Sequence, residues 1–293
     1  MSTLLLQSLV SGLTVGAVYA LVALGFSLVF NASHVINFAQ GEFVMLGGMG
    51  AVFAAAAGLP LWAAALVAVA GAVLVGLALH RFGIVPARGA SVVSLIIVTI
   101  GASILLRGLA GVAFGKNFHS LPPIGGEAPP ILVGGAVVQA QSLWVVGVTL
   151  AVAAALWAFF ARTRQGKAML AAAYNPLAAR LVGIDPGRVV LASFGLAAAL
   201  GAVGGILITP IAQTHFQVGT MLGLKGFAAA IVGGLGSGPG AIAGGLVIGV
   251  AEALSAGFLS SAYKDAVAFV IILAFLVLRP QGLFGRGGAP ERV

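Results

Sequence analysis

Residues 16–48 read GAVYALVALGFSLVFNASHVINFAQGEFVMLGG. An apolar run ends at Phe30, the polar break NASHVINFAQGE follows, and apolar sequence resumes at Phe43. In a soluble protein the break would be an ordinary loop. The rest of the chain decides otherwise, because it cannot supply a water-facing surface. Hydrophobic residues make up 61% of the 293 positions and charged residues 7%, and the mean hydropathy is +1.17. A soluble domain carries roughly 25% charged residues. The chain therefore belongs in a bilayer, and the break interrupts a membrane segment.

The net charge of +8 does not point to nucleic acid. The basic residues sit between apolar runs rather than in a stripe with stacking aromatics, so they serve membrane orientation. Cysteine is absent, which excludes disulfides and thiolate metal sites. The histidines at 34, 80, 119 and 215 are dispersed, with no HExxH, nucleophile triad or metal cluster. GVAFGKN has the wrong spacing for a phosphate loop. No catalytic residue, metal or cofactor is expected, and the chain reads as a non-enzyme. The opening MSTLLLQSLVSGLTVG lacks the basic start of a signal peptide, so its apolar run is expected to be a spanning helix.

About 20 apolar residues cross the hydrocarbon. Spans are read near 4–30, 61–79, 91–113, 142–161, 189–208, 241–258 and 265–279. Shorter Gly-rich pieces at 43–57 and 226–236 follow polar breaks and bring the count to nine, within a range of eight to ten. Cytoplasmic loops retain Lys and Arg. With loop 162–188 inside, the inside set is Arg81, Arg88, Arg162, Arg164, Lys167, Arg180, Arg188, Arg279, Arg286 and Arg292, against Lys116, Lys225 and Lys264 outside, with Arg107 within a span. The C-terminus is then cytoplasmic, the N-terminus external, and 114–141 the main outer loop. The fold class is all-α, polytopic, in a single permease-like domain over 1–293.

A second stretch, TPIAQTHFQVGTMLGLKG at 209–226, repeats the span–break–short-piece order of the first. An odd number of crossings between the halves 4–113 and 189–279 would make them an inverted repeat, whose interrupted segments mark the solute route. The alternative is that Gly/Ala-rich helices resemble each other by composition. On the repeat reading, solute passes beside the breaks at 31–45 and 209–227, with Asn37, Phe38, Gln40, Glu42, Gln213 and Lys225 as pathway candidates. The competing reading makes these residues helix-end caps. Glu252 stands within a span. With no relay of partners in the sequence, it is assigned to packing or gating rather than proton transfer. Glycines spaced at four, and the run GGLGSGPGAIAGG (233–245) with Gly233, Gly234 and Gly240, are expected to let helix backbones approach closely.

The largest polar segment is RTRQGKAMLAAAYNPLAARLVGIDPGR, residues 162–188. Its alanines predict a short low-relief helix over Ala171–Asp185, ended by Gly183 and blocked by Pro186.

Three blocks together resemble a known family: GAVYALVALGFSLVFNASHVINFAQGEFVMLGG, RTRQGKAMLAAAYNPLAARLVGID, and GLKGFAAAIVGGLGSGPGAIAGGLVIGVAEAL followed by YKDAVAFVIILAFLVLRPQGLFG. In this order, and over nearly the whole chain, they are similar to permease subunits of branched-chain amino acid (Liv-type) ABC importers. The resemblance implies a multi-pass protein of the bacterial inner membrane that moves amino acids inward. It implies as partners a second homologous permease, two cytoplasmic ATPase subunits that use the ATP, and an external substrate-binding protein. It also implies that segment 162–188 seats in the ATPase, with Ala172, Asn175, Ala178, Ala179, Gly183 and Asp185 as coupling residues. The alternatives are a self-sufficient secondary carrier built on the repeat and Glu252, an importer subunit for amides or urea, and a scaffold without a substrate.

Overall fold

The computed structural model describes residues 1–87, 89–126 and 129–285; Arg88, Arg286 and Arg292 of the inside count lie outside the described residues. Among the described residues, eleven α-helices carry the fold. In chain order they are α1 (Ser2–Ser33), α2 (Gln40–Ala56), α3 (Leu61–Ala78, prolonged by the π-helical turn Leu79–Ile84), α4 (Val92–Ala113), α5 (Ala140–Arg162), α6 (Arg164–Tyr174), α7 (Pro176–Leu181), α8 (Pro186–Ala212), α9 (Val218–Gly233), α10 (Gly238–Phe258) and α11 (Lys264–Leu278). A small antiparallel hairpin, β1 (Ile131–Val133) and β2 (Ala136–Val138), stands in the loop before α5. Gln7 fastens it to α1 by accepting from the Val137 N–H at 2.8 Å.

Among the described residues seven helices are long and apolar enough to cross a membrane, α11 being counted with the 3-10 turn Ser261–Tyr263 that leads into it. α2 has 17 residues and α9 has 16. At 1.5 Å per residue they reach roughly 24–26 Å, short of a hydrocarbon core of about 30 Å. Burial separates centre from periphery: 78% of the apolar stretch of α1 and 67% of that of α8 is buried, against 6% for α4 and 11% for α5. α1 is the hub. Its Val18, Leu21, Val22 and Phe26 pack into one core with Leu200 and Leu207 of α8, Ala228–Ala230 of α9 and Ile248 of α10.

Glycine spacing sets the closest crossings. Gly12 and Gly16 of α1 lie against Gly245, Gly249 and Val250 of α10, backbone to backbone. A methyl group at Gly16 would come within 2.8 Å of Gly245 O. Gly205 of α8 likewise abuts Val44 and Gly48 of α2, and Gly244 of α10 abuts Ala229 of α9. Lipid offers no hydrophobic drive between helices, so such dispersion contacts hold them together.

Both breaks are shorter than the ranges expected from sequence. α1 continues through Ser33 and stops at His34, which takes the left-handed conformation (φ 55°). The chain then returns along α1 until Gln40 packs on Gly25, and α2 starts there. α8 runs to Ala212 and stops at Gln213, also at positive φ (58°). Among the described residues, His34 and Gln213 are the only non-glycine positions in that region. Residues 218–227, expected in the second break, are the first turns of α9.

Non-helical backbone at this depth must find partners inside the protein. In the first break the Thr99 hydroxyl of α4 accepts from Phe38 N–H (3.2 Å) and lies 3.4 Å from the Ile36 carbonyl. In the second, Thr214 exchanges both backbone hydrogen bonds with His119 of the loop between α4 and α5, at 2.7 and 2.8 Å. Thr99→Val should orphan the Phe38 N–H at a cost of about 1–3 kcal/mol, seen as a lower unfolding temperature of the detergent-purified protein. Thr99→Ser should stay near wild type. A Val variant as stable as wild type would mean that the break draws on a different acceptor.

Candidate functional site

α4 lies at the periphery, with 6% of its apolar stretch buried, yet one stripe of it turns inward. Thr99, Ser103 and Arg107 follow each other at four-residue spacing and so share a helix face. Thr99 is fully buried and holds the first break. One turn on, Ser103 Oγ donates to Glu42 Oε1 at 2.8 Å, and one turn further Arg107 Nη1 donates to Thr220 Oγ1 at 2.6 Å. Glu42 lies in the first turn of α2 and Thr220 in the first turn of α9. The two short helices meet here, with Gly41 against Gly219 and Gly223 and no side chain between them.

These groups line an open cavity of about 200 Å³, its apolar wall formed by Phe26, Phe38 and Phe227 with the exposed Ile100, Ile104 and Leu224. Phe227 packs on Phe26 and Phe38 at centroid distances of 5.5 and 5.6 Å. Glu42 is 1% exposed. Among the described residues no donor reaches its Oε2, and Glu42 and Arg107 are not in ion-pair contact. A carboxylate and a guanidinium thus border one small apolar chamber while each keeps bonding capacity in reserve.

Of the pathway residues expected from sequence, Phe38 and Glu42 line this chamber. Asn37 and Gln40 are buried beside it and tie down backbone. Asn37 Oδ1 accepts from Ala39 N–H (3.1 Å), and Gln40 Nε2 donates to Ala197 O (2.9 Å). Gln213 is exposed at the end of α8. Ser103, Arg107 and Thr220 complete the site and were not among the sequence candidates. The four-residue polar spacing on α4, with a charge inside a span, was the available signal.

Lys225 is not in an outer loop, as its place in the charge count required. It is buried in α9. Its Nζ lies 2.6 Å from Glu252 Oε1 of α10 and 2.6 Å from Asp265 Oδ1 of α11. Tyr19 of α1 donates its hydroxyl to Glu252 Oε2 at 2.7 Å. Glu252 is therefore no isolated carboxylate but one corner of a network joining four helices. Gly233, Gly234 and Gly240 pack where α9 turns into α10. Gly233 abuts Gly240, and Gly234 (φ 100°) allows the turn into α10. The last carbonyls of α9 are capped by the chain's end: Leu283 N–H donates to Val232 O (2.8 Å) and Phe284 N–H to Gly233 O (2.9 Å).

The single helix expected over Ala171–Asp185 is two. Pro176 cannot donate to the preceding turn and forces a break. Asn175 caps α7 instead, its Oδ1 accepting from Ala178 N–H at 2.9 Å. Gly183 (φ 84°) ends α7, with Ile184 N–H bonded to Ala179 O at 3.0 Å, and Asp185 caps α8 through Gly187 N–H at 2.8 Å. Ala172 and Ala179 face inward onto Met169 and Val189, whereas Asn175, Ala178, Gly183 and Asp185 are exposed.

Residues 8–276 match the family described as branched-chain amino acid transport system, permease component. The chain belongs to this family. Its relatives include the high-affinity branched-chain amino acid transport system permease protein LivH of Salmonella typhimurium, 34% identical over 96% of each chain, and BraD of Pseudomonas aeruginosa, 35% identical over the same shares. More distant is the ribose import permease protein RbsC of Escherichia coli, 30% identical over 89% of this chain and 82% of that protein. The chain is thus a multi-pass membrane permease, one component of an importer that works through further components.

Removing one partner of a buried ion pair leaves an uncompensated charge and costs about 3–5 kcal/mol. Lys225→Met should therefore lower folded yield and unfolding temperature sharply. Glu252→Gln, which can still bond Lys225 and Tyr19, should be milder, and adding it to Lys225→Met should recover part of the loss. Strict additivity in that double-mutant cycle would mean that the pair is not coupled.

Proposed function

We propose that this permease conducts apolar, branched-chain α-amino acids into the cytoplasm, with the chamber between α2, α4 and α9 as a station on the route. One observation carries the reading: Glu42 and Arg107 border the chamber without pairing. An α-amino acid brings an ammonium and a carboxylate one carbon apart. Glu42 would receive the ammonium, Arg107 and Thr220 the carboxylate, and the wall of Phe26, Phe38, Ile104 and Phe227 the side chain. The names of LivH and BraD support this substrate class. A sugar such as the ribose of RbsC carries no charges for these groups.

The chain has no phosphate cradle, so on this reading it uses ATP only through its partners. These are two cytoplasmic ATPase subunits, with a second homologous permease across the membrane plane and an external binding protein as the source of solute. α6 and α7 would seat in an ATPase. Tyr174, Leu177, Leu181 and Val182 present an exposed apolar edge there, at 70–85% exposure. The matched order around His34 and Gln213 supports an inverted repeat.

A hydrogen bond to a charged group contributes about 1.5–3 kcal/mol, or roughly ten- to a hundredfold. With the transport system reconstituted, Arg107→Gln and Glu42→Gln should each cut leucine uptake by about tenfold or more while ATP hydrolysis persists. Wild-type uptake by either variant would remove the chamber from the route. Single cysteines at Asn175 and Ala178 should crosslink to an ATPase and those at Ala172 and Ala179 should not. Crosslinks from the buried pair alone would overturn this docking face.

A further inference from the structure

We propose that the cytoplasmic end of the permease holds an anionic phospholipid, one acyl chain inserted beneath α6 and its phosphate on the basic residues at the α5–α6 junction. An apolar cavity of about 370 Å³ lies there, walled by Leu24, Leu28, Ala153, Leu156, Trp157 and Ile242, among others. Its walls come from the C-terminal ends of α1 and α5 and the N-terminal ends of α8 and α10, with α6 as roof. No carboxylate lines it.

Three observations select the occupant. First, α5 faces outward. Trp144 and Trp157 are exposed near its two ends, 13 residues and roughly 20 Å apart, the placement of aromatics at membrane interfaces. The cavity opens beside Trp157, at the cytoplasmic one. Second, the rim is basic. Arg162 sits over the Trp157 ring at 5.9 Å, and exposed Arg164 and Lys167 occupy the first turn of the roofing helix. Third, Ser27 lines the cavity, is 3% exposed, and its Oγ has no hydrogen-bond partner among the described residues. In an apolar chamber such a donor calls for an acceptor, and the ester oxygen of an acyl chain supplies one. An acyl chain fills the chamber, its ester answers Ser27, and its phosphate answers the rim.

The test uses fluorescence of the full-length permease with Trp62→Phe and Trp144→Phe, which leaves Trp157 as the sole tryptophan. The protein is placed in phosphatidylcholine vesicles doped with brominated phosphatidylglycerol or brominated phosphatidylcholine. Each basic residue near an anionic headgroup contributes about a fivefold preference. Phosphatidylglycerol should therefore half-quench Trp157 at a several-fold lower mole fraction than phosphatidylcholine. Combined Arg162→Gln, Arg164→Gln and Lys167→Gln should abolish the difference. Ala153→Phe, filling the chamber, should weaken quenching by both lipids with helicity retained by circular dichroism. Equal quenching by the two lipids in the parent, or a preference that survives the triple substitution, would overturn the proposal. Suppression of the preference by millimolar inorganic phosphate would make the rim a free-anion site. Loss of quenching when a second permease subunit is added would make the chamber a subunit interface. Either result refutes the lipid.

Discussion

The structure turns on hydrogen bonds that lipid cannot supply. Two helices stop at His34 and Gln213, and the non-helical backbone after each carries N–H and C=O groups that would cost several kcal/mol apiece if left bare in hydrocarbon. The first is satisfied by a threonine hydroxyl on α4, the second by a two-residue bridge to the α4–α5 loop. These two partners fix where α4 and the loop around His119 must lie. α4 is otherwise exposed, so the demand of the broken backbone, more than apolar burial, holds its one inward face against the bundle.

That face then does more than cap. Because Thr99, Ser103 and Arg107 rise along it a turn at a time, anchoring Thr99 at the break aims Ser103 at the first turn of α2 and Arg107 at the first turn of α9. A buried carboxylate near a cation would normally collapse into an ion pair. Here each is held off by a neutral hydroxyl, Ser103 for Glu42 and Thr220 for Arg107, so both charges stay available beside a small apolar chamber. The contrast within the same molecule is Lys225, whose charge is spent on Glu252 and Asp265 at 2.6 Å each and serves cohesion. A charge in this bundle thus serves cohesion where it is paired, whereas on the proposed reading the intervening hydroxyls keep Glu42 and Arg107 free for a ligand.

Much of the bundle was legible in the sequence, because span length is dictated by bilayer thickness and every apolar run read as a span is a helix. Break ends were less legible. Residues 218–227 contain Gly219, Gly223, Lys225 and Gly226, which read as loop by composition. They are helical because the glycines permit contact with Gly41 and Val22 and because Lys225 finds two carboxylates from other helices. No local pattern reveals partners 27 and 40 positions away. The helix over 171–185 failed for a local reason: Asn175–Pro176 is a cap-and-first-turn signal, outweighed in the reading by the surrounding alanines. At the site, Glu42 and Phe38 were legible as polar-break residues, whereas Ser103 and Arg107 sat in a span judged by hydropathy alone. Periodicity of the polar residues along α4 would have found them.

One element joins the α6–α7 segment to both breaks. α8 begins at the Asp185 cap and passes beneath Ala172 and Ala179 through Val189. It meets Gly76 of α3 at Phe194 and Ala198, and seats Gly201 and Gly205 against Phe43 and Val44 of α2 before ending at Gln213. At Gly205 the contact is backbone on backbone. A flexible side chain at such a crossing would absorb a small displacement by changing rotamer, but here there is none to absorb it. A shift of α8 imposed on its N-terminal end therefore has to move α2, and with it Glu42 relative to Arg107, or separate the helices outright. On the proposed reading this links the docking loop to the chamber through a single rigid helix, and the glycines are what keep that linkage stiff.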